Sequence, residues 1–124
     1  MTDKIKLKNN AKILFTGDSI TDCDRREPHY APLGMGYVFF TANMIQAGHP
    51  EMDFEFINTG IGGDTTRDLL ARWDKDVIKH NPDVVSVMIG INDLWRFYGS
   101  KENLANAVEV SEYEDNYRKM IDKL

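Results

Sequence analysis

The chain holds one cysteine, Cys23, and that scarcity removes two possibilities at once. No disulfide framework can form, and no paired-cysteine spacing is present to hold a structural metal. A basic excess is missing too: 15 Lys and Arg stand against 20 Asp and Glu, a net charge of −5. Nucleic acid and anionic membrane surfaces are therefore not expected partners. No apolar run approaches the roughly 20 residues of a membrane-spanning helix. The lysine-rich start, Met1 to Asn10, leads into no apolar run of signal-peptide length, so a cytoplasmic location is expected. Repeats, low-complexity tracts and linkers are absent, and one domain over residues 1–124 is the expectation. Neither G-x-G-x-x-G nor G-x-x-x-x-G-K-[ST] occurs, which weakens any reading as a nucleotide-binding domain.

What is present reads as an alternation of strands and helices. At 42% hydrophobic and 28% charged residues, 124 residues suffice for a real core. Lys12 to Thr16 is a short apolar run ending in Gly17. Phe54, Phe56 and Ile57 form a second run, closed by Asn58-Thr59-Gly60. Val84 to Ile89 is nearly continuous and rich in β-branched residues, as expected of a strand covered on both faces. Between them, Tyr37 to Ala47 has helical apolar spacing and stops at Gly48 and Pro50. A second helix starts from Asp64 or Thr65, with Asp68 in capping-box register to Thr65. It runs through Leu69, Leu70, Trp73 and Val77, and Pro82 ends it. A third is expected from Asn103 or Ser111 to the end, with Val110, Tyr113, Tyr117, Met120, Ile121 and Leu124 at helical spacing. This order predicts right-handed βαβ crossovers and an α/β fold: a parallel sheet with helices on both faces.

Such sheets hold ligands outside the carboxyl ends of their strands. Here the three exits are Gly17-Asp18-Ser19, Asn58 to Asp64, and Gly90-Ile91-Asn92-Asp93, all polar and all glycine-bearing. A serine at a strand-to-helix turn offers a hydroxyl to attack a carbonyl and a backbone N–H to hold the resulting oxyanion. Gly62 and Gly63 let the second exit bring another N–H close with no side chain in the way. Asn92 can add an amide donor from the third. Taken singly, Ser19 could cap a helix, Asn92 close a turn and the glycines serve the loop; together they form a three-donor oxyanion hole. Asp18, Asp22, Asp64 and Asp93 flank these exits, as helix caps and loop ligands rather than acid–base groups. No cofactor or site metal is expected, since Asp18, Asp22 and Asp24 have neither a histidine nor EF-hand spacing beside them. Arg25 and Arg26 read as solvated charge, with a substrate anion as the alternative.

GDSI in the first exit, NTGIGGDT in the second and GIND in the third resemble the first three sequence blocks of the GDSL-type esterases, or SGNH hydrolases, from about Lys12 to Asp93. The resemblance implies a flavodoxin-like three-layer α/β/α sandwich. It implies Ser19 as nucleophile, with Gly63 and Asn92 as the further oxyanion donors. The FTGDSITD wording looks closest to intracellular or carbohydrate-ester members, so a small acyl-ester substrate such as a sugar acetate is expected. A lipase, lysophospholipase or thioesterase of the same family is the alternative. Two loops can shape the pocket: Asp22 to Gly34, and the stretch with Trp95, Phe97 and Tyr98, with Asp18 as a further pocket candidate. The aromatics either stack on substrate or simply cover the sheet end.

In this family the base comes from an Asp-x-x-His segment, and none occurs in these 124 residues. Asp76 to His80 has one residue too many, and His80 and His49 lie toward the opposite edge of the sheet. His29 alone follows a strand on the site edge. The chain is accordingly expected to be the N-terminal part of a longer hydrolase, with an unpaired strand edge open to the missing part or to another copy. A binding module that kept the oxyanion pocket and lost the base is the non-enzymatic alternative.

Overall fold

A computed structural model describes residues 6–124. The beginning of the lysine-rich stretch Met1 to Asn10 thus lies outside the described residues. Three parallel strands, β1 (Ala11–Gly17), β2 (Phe54–Asn58) and β3 (Val84–Met88), form a sheet in the order β2-β1-β3. The register sets Ile13 opposite Phe56 on one side and opposite Val84 on the other. With β1 central, its residues lose water on both faces, which is why Ile13, Leu14 and Phe15 run apolar without alternation.

Alternation along the strands divides the core into two layers. Ile13, Phe15, Phe54, Phe56 and Val84 point to one face, where they meet Val38 and Ile45 of α2 (Tyr37–Gly48). Leu14, Ile57, Val85 and Val87 point to the other. There they meet Leu69 and Trp73 of α3 (Thr66–Asp76) and Met120 of α6 (Val110–Ile121). One helix on one face and two on the other make the expected three layers. Helix α3 starts as its sequence predicts. Thr65 is the N-cap, its hydroxyl accepting from Asp68 N–H while the Asp68 carboxylate accepts from Thr65 N–H. After α3, a 3₁₀ turn over Ile78–His80 and Asn81 at φ +49° lead into β3.

Three expectations need correction. β3 is half-buried rather than covered on both faces, and Met88 is 43% exposed. Among the described residues β3 pairs only with β1, and of its residues only Val84 joins the core under α2. The terminal helix is broken into α5 (Lys101–Ala105) and α6, and Val110, Ile121 and Leu124 point into solvent while Met120 is buried. The segment after β3 is no loop but a short helix, α4 (Ile91–Trp95), followed by a 3₁₀ turn over Arg96–Tyr98. Its polar and exposed apolar residues give no clean helical stripe, so periodicity could not reveal it. No helix among the described residues is long and apolar enough to cross a membrane.

This layering predicts unequal costs for two apolar truncations. Leu14→Ala removes a side chain with no exposed surface between the sheet and α3. It should destabilise the protein by about 2–5 kcal/mol in a urea titration. Met44→Ala, at a side chain 74% exposed, should stay within about 0.5 kcal/mol. Equal losses would contradict the assignment of the core.

Candidate active site

All three strands deliver their carboxyl ends to one edge. At the first exit, a Cβ on Gly17 would strike the Met88 carbonyl of β3, so only glycine fits where the two strand ends meet. Asp18 follows, 1% exposed, its carboxylate accepting from Ile20 N–H at 2.9 Å. That bond caps α1 (Ser19–Asp22). Of the two roles open to Asp18, the structure shows the cap, and the buried carboxylate offers no surface to a substrate. Ser19 is the first residue of α1 and is exposed. Among the described hydrogen bonds, neither its hydroxyl nor its N–H appears as a partner of any group.

The second exit is held against the first by side chains. Buried Asn58 donates to Thr21 O at 2.7 Å and Leu33 O at 2.8 Å, and accepts from Gly60 N–H at 2.9 Å. Arg25 Nε donates to Gly60 O at 2.7 Å, so this arginine fastens the loop rather than sitting solvated. Gly62 comes so near Ser19 that a Cβ there would lie 3.7 Å from the serine Cβ. Residue type alone leaves Gly62 and Gly63 equally able to donate, and the family resemblance points to Gly63. The structure separates them, because Gly62 N–H is engaged by Asp22 Oδ2 at 3.2 Å. Gly63 N–H has no acceptor among the described hydrogen bonds. Gly63 sits at φ +86°, where a side chain is strained even though a Cβ would meet nothing within 4 Å.

From the third exit, Asn92 Nδ2 donates to Asp64 O at 2.9 Å. An amide nitrogen carries two hydrogens, so this bond fixes the side chain and leaves one N–H over. Asp93 is buried and accepts from Thr66 N–H, at 3.0 and 3.1 Å, and from the Thr66 hydroxyl. The hydroxyl in turn accepts from Asn116 of α6 at 3.2 Å. Arg96 Nη2 donates to Gly63 O at 2.6 Å. Beneath all this lies Arg72 of α3. Its guanidinium donates to Gly17 O at 3.0 Å, Thr59 O at 2.7 Å, Asp64 Oδ2 at 2.7 Å and Asp76 Oδ2 at 3.1 Å. Sequence reasoning missed Arg72 and Arg96 as parts of the site, and gave Arg25 only solvent or a substrate anion as its partner. Only the i,i+4 spacing of Arg72 and Asp76 was visible, and that spacing reads as an ordinary surface pair.

The structure therefore brings Ser19, Gly63 and Asn92 to the same edge of the sheet, at the exits of β1, β2 and β3. Trp95 and Tyr98 point into solvent. Phe97 lines a cleft of about 520 Å³ with Ile89, Val108 and Tyr113, and this cleft borders the third exit at Gly90, Ile91 and Asp93. His29 lines an apolar groove with Met35, Phe39 and Phe40, and no described hydrogen bond joins any histidine to Ser19. Asp22 pairs with Arg26 at 3.0 Å and lies 3.6 Å from Arg25, so it too is a loop ligand. Among the described residues no three His, Cys, Asp or Glu side chains are grouped to hold a metal ion.

A parallel α/β sheet whose central strand ends in an exposed serine with no described hydrogen-bond partner, beside two further glycine-bearing strand exits, defines the class of fold and the edge at which chemistry is sought. The chain belongs to the GDSL-like lipase/acylhydrolase family, which it matches over residues 15–124. An acetylxylan esterase of Geobacillus stearothermophilus is 45% identical to it over 121 residues, 94% of this chain and 55% of that protein. The crystal structure of an acetylxylan esterase from the same organism superimposes with a TM-score of 0.84 at 45% identity, again over 94% of this chain and 55% of that one. Catalytic mutants of that esterase, with histidine or serine replaced by alanine, superimpose with TM-scores of 0.87 and 0.84 over the same shares, at 45% and 44% identity. The chain thus spans about half the length of the relatives it matches, and its architecture is that of the SGNH hydrolases.

One titration follows from the way Arg72 holds Asp64. Burial pushes the Asp64 carboxyl above its ordinary 3.8, and the hydrogen bond and charge of Arg72 pull it down without cancelling that rise. The folded protein therefore keeps this proton to higher pH than the unfolded chain does. The contribution to stability is complete below about pH 3.8 and is lost as pH rises through the raised value. Carboxyl-resolved NMR should give Asp64 a midpoint above 3.8 that climbs further in Arg72→Met. A midpoint below 3.8 would mean that the ion pair outweighs burial.

Proposed function

We propose that the full-length protein is a serine-dependent carboxylic ester hydrolase acting on short acyl esters, a sugar acetate being the best-supported class. Ser19 is the nucleophile. The oxyanion hole is the N–H of Ser19, the N–H of Gly63 and the free amide hydrogen of Asn92. The observation carrying this reading is the selective availability of these donors: neighbouring Gly62 and Ile20 N–H groups are engaged by carboxylates, whereas these are not.

The chemistry runs in two balanced halves. Ser19 Oγ attacks the acyl carbonyl and gives its proton to a base, and the carbonyl π electrons move onto oxygen. The three N–H donors hold that oxygen while the tetrahedral centre collapses, expelling the alcohol with the proton returned and leaving an acyl-Ser19 ester. Water repeats the attack on the acyl group, releasing the acid and regenerating the serine hydroxyl. The base is none of the groups bonded at this edge, because Asp18, Asp22, Asp64 and Asp93 are all committed to backbone N–H groups, arginines or hydroxyls. The family resemblance assigns the base to an Asp-x-x-His segment. The acetylxylan esterase relative has catalytic mutants at a serine, an aspartate and a histidine, which supports that assignment. The same relative supports acetyl as the acyl group.

On p-nitrophenyl acetate, Asn92→Ala in the full-length protein should lower kcat by about 10²–10³ with little change in KM. Ser19→Ala should abolish turnover. The same assay on the octanoate ester should give a lower kcat/KM than the acetate. A loss confined to KM would make Asn92 a ground-state contact. A preference for octanoate would move the substrate to lipids or acyl thioesters.

A further inference from the structure

We infer that Arg96 is a positioning residue for the oxyanion donor Gly63, an inference that rests on the ester-hydrolase reading of the site. The problem that Arg96 solves is set by Gly63 itself. At φ +86°, with no atom within 4 Å of where a Cβ would stand, this residue has neither a side chain nor packing to fix its dihedrals. Glycine visits both signs of φ with similar ease. An oxyanion donor works by being aimed before the charge develops, and a wandering N–H gives that up.

The bonds around Gly63 show what aims it. Its own N–H is the group left free for substrate, so only its carbonyl can serve as a handle. Arg96 Nη2 takes that handle at 2.6 Å, the short length of a charge-assisted bond. On either side, Gly62 N–H is held by Asp22 at 3.2 Å and Asp64 O by Asn92 at 2.9 Å. Arg96 and Asn92 are four residues apart, at the C-cap and the second position of α4, and so lie on one face of a single helical turn. That turn grips two consecutive carbonyls of the second loop. The spacing between the Gly63 and Asn92 donors is thereby set by one rigid element rather than by loop packing.

Arg96 has no second task among the described residues. It makes no ion pair and no other side-chain hydrogen bond there. Its removal leaves the sheet, both core layers and the Arg72 anchor untouched, so its loss separates aim from stability.

The test compares Arg96→Ala and Arg96→Lys in the full-length protein. For Arg96→Ala, kcat on p-nitrophenyl acetate should fall about 10- to 100-fold, as for a misplacement of the order of 1 Å. KM should stay within about twofold and the thermal midpoint should not move. Lysine, which can supply the single N–H that Gly63 O accepts, should restore part of the rate. In a Gly63→Ala background, where the donor is already misplaced, Arg96→Ala should add less than about twofold. Backbone ¹⁵N relaxation should show the Gly63 order parameter falling from a rigid value near 0.85 toward 0.6 in Arg96→Ala. An unchanged kcat, a rise in KM alone, full additivity with Gly63→Ala or an unmoved order parameter would each overturn the inference. Should the parent protein show no Ser19-dependent turnover, the hydrolase reading fails instead, and the relaxation measurement still decides whether Arg96 holds Gly63.

Discussion

The guanidinium of Arg72 joins the ends of two strands that the chain visits more than 40 residues apart. It reaches from α3 under the carboxyl edge of the sheet and bonds Gly17 O after β1, Thr59 O after β2, and the carboxylates of Asp64 and Asp76. Only 13% of its side chain is exposed, and an isolated charge at that depth would cost several kcal/mol. Four acceptors around one planar fork offset that cost, and lysine has neither the shape nor the donor count to replace it. The third strand is tied to the same helix by other means: Asp93, the third residue of α4, accepts the backbone N–H of Thr66 in the first turn of α3. Helix α3 is thus the frame on which all three exits are mounted, one by its N-terminus and two by Arg72.

Once the exits are fixed, the polar groups at this edge sort themselves. Asp18 takes Ile20 N–H, Asp22 takes Gly62 N–H and two arginines, Asp64 takes Arg72, and Asp93 takes Thr66. Four carboxylates at a reactive edge invite an acid–base reading, yet every one is a scaffold ligand. Among the groups without a described partner at this edge are the Ser19 hydroxyl and N–H, the Gly63 N–H and one Asn92 amide hydrogen. The oxyanion hole proposed above needs such donors, held in place by the surrounding structure without being used by it.

The alternation of apolar runs and helical stripes was readable because each run obeys a period that its burial requires: β1 on both faces, α3 on one. The capping box at Thr65 and Asp68 and the three glycine-bearing exits were likewise visible as local chemistry. The arginines were not. Arg72 lies eight residues beyond Asp64 and 55 beyond Gly17, and no local rule says that a helical arginine will point along the sheet rather than into water. By residue type Gly62 and Gly63 look alike, and only the resemblance favours Gly63; the hydrogen bond that Gly62 N–H donates to Asp22, 40 residues earlier, sets them apart physically. Helix α4 escaped notice because Asn92 and Asp93 turn inward to bond neighbouring loops, which breaks the apolar periodicity that announces a helix. Trp95 and Tyr98 look like pocket aromatics by sequence position, but α4 and the turn after it carry them outward.

A crystal structure of the full-length protein with a phosphonate bonded to Ser19 Oγ tests most directly whether three donors share one oxyanion. One phosphoryl oxygen should lie about 2.7–3.1 Å from Ser19 N, Gly63 N and Asn92 Nδ2 together, with Gly62 N–H still on Asp22. A phosphoryl oxygen held instead by Gly62, or turned to solvent with Asn92 bonded only to Asp64 O, would contradict it.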